Sequence, residues 1–292
     1  MIKFKRTVCL LLVVILLCGT LCTALAADYA GEKRVSLGAN LSESQIEEVY
    51  DMFGIERGDI KEITVTIDEE RARLEGKISD STIGQRSISC AYIDPQEEGS
   101  GLDVSVHNIN WCTEEIYKNA LTTVGITDAK VVIAAPFEVS GTGALTGIYK
   151  AYEDITGEEI DEVLKDVAAD ELVITSELAD EIGSADAAEV VNELKKVLDE
   201  TAEMSDDELI EEIKYIAEQA NVQLTDEQIS KLVSLVRKLE KLDPDELLEK
   251  MQSVQETVKK MSGFSEKISS IGQKVGNFFK AIGNFFSNLF NK

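Results

Sequence analysis

Two hydrophobic patterns divide the chain. Over residues 35–152, apolar positions alternate with polar ones or gather in short blocks; beyond Gly157 they recur at three- and four-residue spacing. In the first half "RVSLGANL" reads as extended, and Ser42-x-x-Gln45 is a capping box that opens a helix through Met52. "KEITVTI" alternates with period two, as a half-buried strand does. "RSISCAYI" and "GLDVSVHNI" flank the turn-rich "DPQEEGSG", which predicts an antiparallel β-hairpin. Thr113 caps a helix over "EEIYKNALTTVG" that Gly125 ends. The nearly all-apolar "AKVVIAAPFEV" reads as a central strand, and "SGTGALTGIYKAYE" turns it into another helix.

In the second half the strands stop. Ser205-x-x-Glu208 and Thr225-x-x-Gln228 are capping boxes, and Asp243-Pro244 places an acceptor at a cap with proline at the first helical position. Stripes such as Leu209, Ile213, Ile216 and Ile229, Leu232, Val233, Val236, Leu239 follow, as core-facing helices require. The pattern predicts an α+β chain. Its parts are a signal peptide (1–26), a mixed α/β domain with a β-hairpin (28–156), an acidic helical domain (157–262) and an amphipathic C-terminal helix (263–292).

That last segment has its own signature. Ile268, Ile271, Val275, Phe278, Ile282, Phe285 and Leu289 step by three and four, and Phe279, Phe286 and Phe290 widen the stripe. Lys274 and Lys280 fall on the opposite, polar face, which is too polar to span a bilayer. Two readings stay open. The helix lies in an anionic membrane surface or on a protein partner, or it docks on the acidic helical domain. Glycines 272, 276 and 283 weaken it in isolation by roughly 1 kcal/mol each, which suits a segment that orders on binding.

Charge and the other terminus add an address. "KFKR" is a basic n-region, an apolar run of about 15 residues follows, and Ala24-Leu25-Ala26 is a small-x-small cleavage site. With the leader go Lys3, Lys5 and Arg6 and no acid, so the formal charge moves from −26 to −29. So acidic a body excludes nucleic acid and polyanionic polymers as partners. Cys90 and Cys112 remain after cleavage, on segments expected to neighbour one another in an oxidising space; a disulfide between them and two buried thiols are the alternatives.

Chemistry is sparse. The single histidine, His107, shares a strand face with Asp103, but no nucleophile signature accompanies the pair, and no catalytic residue is assigned. An extracellular enzyme with a site near His107 is the alternative reading. "SGTG" (Ser140, Gly141, Thr142, Gly143) lies between an apolar strand and a helix, the layout of an anion-binding turn, although Glu138 stands on the approach. The acid-rich runs at 153–162 and 205–209 lack the oxygen spacing of a calcium loop; they read as solvated helix faces, with a calcium-responsive module as a further alternative. One histidine and two remaining cysteines give no zinc site, and no cofactor is implied.

Several long stretches are familiar. "VSLGANLSESQ", "GKISDSTIGQRSIS", "GSGLDVSVHNI" and "DAKVVIAAPFEVSGTGALTGIYKAYE" resemble the YpuA-like family, secreted proteins of Gram-positive bacteria carrying a domain of unknown function. The resemblance is strong over residues 35–153 and looser toward the C-terminus. It implies export and the α/β-plus-helical layout, and brings no catalytic residues with it. The reading is a secreted, non-enzymatic protein of the cell envelope that touches a membrane surface or protein partner through residues 264–292.

Overall fold

The computed structural model describes residues 32–58, 60–243, 247–248 and 250–251. The signal-peptide reading and the terminal amphipathic segment, with Ile271, Lys274, Val275, Phe278, Phe279, Lys280, Ile282, Phe285, Phe286, Leu289 and Phe290, lie outside them. The fold is α+β. Five strands, β1 (Arg34–Gly38), β2 (Lys61–Val65), β3 (Cys90–Pro95), β4 (Leu102–Ile109) and β5 (Ala129–Val139), form one mixed sheet in the order β2-β1-β3-β5-β4. Two parallel pairs carry crossover helices: α1 (Glu43–Phe53) joins β1 to β2, and α4 (Glu114–Thr123) joins β4 to β5. Antiparallel β1–β3 and β3–β5 ladders knit the two units together.

The hairpin expected of residues 86–109 is corrected by this order. β5 stands between β3 and β4, pairing antiparallel with the first and parallel with the second. The reason lies in the side chains. Val131, Val132, Ile133 and Ala134 are buried on both faces of β5, so that strand belongs inside the sheet. β4 exposes Asp103 and His107, which fits it to an edge.

The sheet has two dressed faces. On one, Val35, Leu37, Cys90, Tyr92, Val132 and Ala134 pack under α1 through Val49, Tyr50 and Phe53. On the other, Ala91, Ile93, Val104, Val131 and Ile133 meet α4 and α5 (Thr142–Thr156). Between β2 and β3 run α2 (Ile67–Leu74) and the single turn α3 (Asp80–Ile83). Then α6 (Glu162–Ile182), α7 (Ser184–Lys195), the short α8 (Leu198–Thr201), α9 (Asp206–Gln219) and α10 (Asp226–Leu239) follow. The capping boxes at Ser42, Ser205 and Thr225 form with both hydrogen bonds in place.

The helical half is not detached from the sheet. Ala168, Ala169, Leu172 and Val173 of α6 enter the core beneath the sheet, whereas Val167 and Leu178 of the same helix enter a second core with α7, α9 and α10. Each buried Leu or Ile contributes roughly 1.5–3 kcal/mol, so both contacts are substantial.

Cys90 lies in the cluster under α1 and Cys112 in the one on the opposite face; both thiols are free and buried. The disulfide alternative is therefore not formed in this structure, because the hairpin that would have brought the two together does not exist. Burial pushes both thiols up to about 12. Without reductant, peptides carrying Cys90 and Cys112 should both be alkylated in denaturant, and roughly a hundredfold more slowly in the native protein. Mapping the labelled peptides by mass spectrometry checks this; a disulfide-linked pair would overturn it.

Candidate functional site

The "SGTG" turn is where the most polar chemistry is buried. β5 ends at Val139, Gly141 adopts φ +94° at the cap of α5, and Thr142 opens the helix. Orphan backbone N–H groups at such a terminus favour an anion. The protein brings one of its own. Glu70, on α2, is buried, and its Oε1 accepts a hydrogen bond from Thr142 Oγ1 at 2.7 Å. A Cβ at Gly143 would lie 2.4 Å from Glu70 Oε2, so the absent side chain is what lets the carboxylate close on the turn.

Hydroxyls seal the rest. Ser140 Oγ donates to the Thr82 carbonyl at 3.0 Å, and Tyr117 Oη donates to the Gly141 carbonyl at 2.5 Å. The Cys112 amide donates to the Ser140 carbonyl. Thr142 and Gly143 thus meet an internal carboxylate, while Ser140 and Gly141 are tied to Thr82 and Tyr117. Two effects oppose each other there: the helix terminus favours the ionised form and burial the neutral one. Burial wins, pushing Glu70 up to about 7 despite the Thr142 hydrogen bond and the nearby Arg71 charge.

Sequence reading passes over Glu70 although the signal is present. Thr66-x-x-Glu69 is a capping box, formed in full here, that starts α2 directly after the "KEITV" strand. It sets Glu70 one position beyond the box, facing inward rather than into solvent.

A second buried polar group joins the two halves. Lys195 Nζ lies 2.9 Å from Glu171 Oε1 and 2.9 Å from Thr123 Oγ1, and donates to the Asn119 carbonyl at 3.2 Å. Thr123 Oγ1 also reaches Glu171 Oε2 at 2.5 Å, and Asn119 Nδ2 donates to the Ala188 carbonyl. All of it is buried, between α4, α6 and α7. Nothing in the local sequence marks Lys195 as anything but a solvent-facing lysine.

His107 and Asp103 stand exposed on β4, opposite Ala134 and Lys130 in the register. Among the described residues neither is hydrogen-bonded to a hydroxyl, and Ser140 is engaged with Thr82 and Thr142. A small cleft lies between α6 and α10, with Ile174, Leu178 and Leu232 among its lining residues, and its polar rim is internally paired: Gln228 with Glu181, Lys231 with Glu177. Several carboxylates of the acid-rich runs are likewise employed. Asp154 pairs with Arg34 and Lys61, Glu162 with Arg73 and Lys165, Asp206 with Arg237, and Glu208 completes a cap. Among the described residues no group of three or more His, Cys, Asp or Glu side chains is placed to hold a metal ion, and no helix is long and apolar enough to cross a membrane.

Comparison with known proteins agrees with the motifs. A family model described as "Protein of unknown function (DUF1002)" matches residues 37–274. The "Uncharacterized protein YpuA" of Bacillus subtilis (strain 168) is 48% identical over 153 residues, a match spanning 52% of this chain and 52% of that protein. The chain therefore aligns with about half the length of this curated relative. No solved structure matches.

Proposed function

The chain belongs to the DUF1002 family, and from that premise we propose that it is an exported, non-enzymatic protein of the cell envelope, whose folded body is held at a membrane surface or on a protein partner by residues 264–292. The observation that carries the non-enzymatic part is the occupancy of the α5 terminus. The hydroxyls that could have received a substrate anion are turned inward, Thr142 onto Glu70 and Ser140 onto the Thr82 carbonyl, while Tyr117 closes on the Gly141 carbonyl. His107 faces solvent on an edge strand, and among the described residues no hydrogen bond joins it to a hydroxyl. A body whose polar side chains are spent on one another is suited to being presented rather than to turning over substrate.

The export and contact parts rest on the basic-apolar leader with its Ala24-Leu25-Ala26 site and on the aromatic stripe of the C-terminal segment. Four lysines against Glu266 give residues 264–292 a net charge of +3, opposite in sign to the rest of the chain. Co-sedimentation with vesicles of phosphatidylglycerol tests the contact. Protein carrying residues 27–292 should bind, and the same chain ended at residue 263 should not. Each buried Phe contributes roughly 1.5–3 kcal/mol and each lysine about 1 kcal/mol, screened by salt. Phe278→Asp with Phe285→Asp should therefore weaken binding more than Lys274→Gln with Lys280→Gln, and only the lysine share should fade as salt rises. Failure of the intact protein to sediment, with loss of stability in the shortened one, would make the segment part of the fold instead.

A further inference from the structure

Five acidic side chains are buried among the described residues: Glu70, Asp170, Glu171, Glu193 and Glu212. Three have a lysine. Asp170 is held by Lys77 and Lys238, Glu171 by Lys195, and Glu193 by Lys196. Glu70 and Glu212 have none. Glu70 is met by the neutral hydroxyl of Thr142, and Glu212 Oε1 has no hydrogen-bond partner among the described residues. Glu212 also sits in the core-facing stripe of α9, with Leu209, Ile213 and Ile216, where its helix would otherwise place an apolar residue.

Among the described residues, the cations on the helices that pack with these two carboxyls are committed elsewhere. Around Glu70, Arg71 binds Asp80, Arg73 binds Glu162, Lys150 binds Glu69, Lys165 binds Glu153 and Glu162, and Lys77 binds Asp166 and Asp170. Cys112 and Tyr117, the other titratable groups at that turn, are buried and neutral, their pKa values raised by desolvation. On the helices that share the core of Glu212, Lys195 and Lys196 of the α7 end, Lys214 of α9, and Lys231, Arg237 and Lys238 of α10 all have acidic partners of their own. The charge that does act on Glu212 is Glu200, a like one.

We propose that Glu70 and Glu212 make the fold an acid-closed, neutral-loosened device, one carboxyl acting in each core: protonated, they let α2 seat on the α5 turn and α9 seat in the helical core, and ionised, they weaken both. Burial pushes each up to about 7, from an ordinary carboxylate value of 4.5. A folded-state value above the unfolded one means that the folded protein holds the extra proton between roughly pH 4.5 and 7. Stability from these groups is thus full below that window and lost as pH rises through it. The ion-paired carboxylates Glu62, Asp154 and Glu162 are held below the ordinary range by their Arg and Lys partners. They act in the opposite sense and at lower pH, so the two effects separate.

Amide hydrogen exchange of the full chain at pH 5.5 and pH 8, corrected for the intrinsic pH dependence, reads the device. Opening of residues 206–219 and of 142–156 should each be roughly thirtyfold more populated at pH 8. Glu212→Gln should flatten the first and Glu70→Gln the second, each leaving the other unchanged. Equal pH dependence in wild type and both variants would overturn the proposal. Should a variant fail to fold, carbon-13 titration of the glutamate carboxyls in the wild type decides instead: two midpoints near 7 support the device, and midpoints all below 5 sink it.

Discussion

Lys195→Met destabilises the protein by about 3–5 kcal/mol, because it removes one charge of a fully buried pair and strands the other. In the native protein Glu171 is shielded by Lys195 and Thr123, and all three are closed off from water. After the substitution an uncompensated carboxylate remains between α4, α6 and α7, where it must either take up a proton or admit water. Glu171→Leu strands the lysine instead and should cost a similar amount. The double variant Glu171→Leu with Lys195→Met should recover most of the loss, since an apolar pair of similar volume pays no charge-burial penalty. Urea titrations followed by the single tryptophan provide the measurement. Trp111 donates to Asp180 of α6 at 2.9 Å, so its fluorescence reports on the junction in question. Single variants within about 1 kcal/mol of wild type would show that water already reaches the pair.

Gly141→Ala should be nearly as damaging, at about 3–4 kcal/mol. Two penalties coincide. The residue holds φ +94°, a conformation that costs an L-residue about 1–2 kcal/mol. A Cβ there would also lie 2.5 Å from Ile109 Cγ2 and 2.7 Å from Tyr117 Oη, and overpacking of that kind costs a further 1–3 kcal/mol or so. Tyr117 cannot withdraw freely, since it is fully buried and its hydroxyl is bonded to the Gly141 carbonyl. Gly143→Ala offers the control. Its φ is unstrained and its Cβ would press on the end of the Glu70 side chain, which has more freedom to rotate, so it should cost less than Gly141→Ala. Urea midpoints of the two variants, compared side by side, test the ranking; a larger loss at Gly143 would show that Glu70 is the more rigid neighbour.

What could be read from the chain follows from the range of the interactions involved. Helices announced by Ser42-x-x-Gln45, Ser205-x-x-Glu208 and Thr225-x-x-Gln228 are where the boxes place them, because a cap is decided within four residues. The strand in "AKVVIAAPFEV" is interior because its own side chains leave it no polar face. Which strands flank it is another matter. Placing β5 between β3 and β4 depends on how α4 returns the chain across the sheet, and the turn-rich "DPQEEGSG" looks the same whether it closes a hairpin or steps over a neighbour. The candidate site divides in the same way. Ser140 to Gly143 stand out by composition, but Glu70, which meets Thr142, lies 72 residues before it in the chain. Lys195 is the extreme case: its partners at Glu171, Thr123 and Asn119 are 24, 72 and 76 residues away.

The two-faced helix α6 has a consequence for how such a chain can be inherited. With Leu172 and Val173 closing the core beneath the sheet and Val167 and Leu178 closing the helical one, a recombination joint placed after Gly157 would give either parent an open wound. Neither half is then a cassette that can be lent to another gene, and an ancestor lacking α6 would have needed some other lid for its sheet. Segments added before Arg34, outside both cores among the described residues, interrupt no such contact. The sheet and the helices that share α6 are accordingly inherited together, as one block.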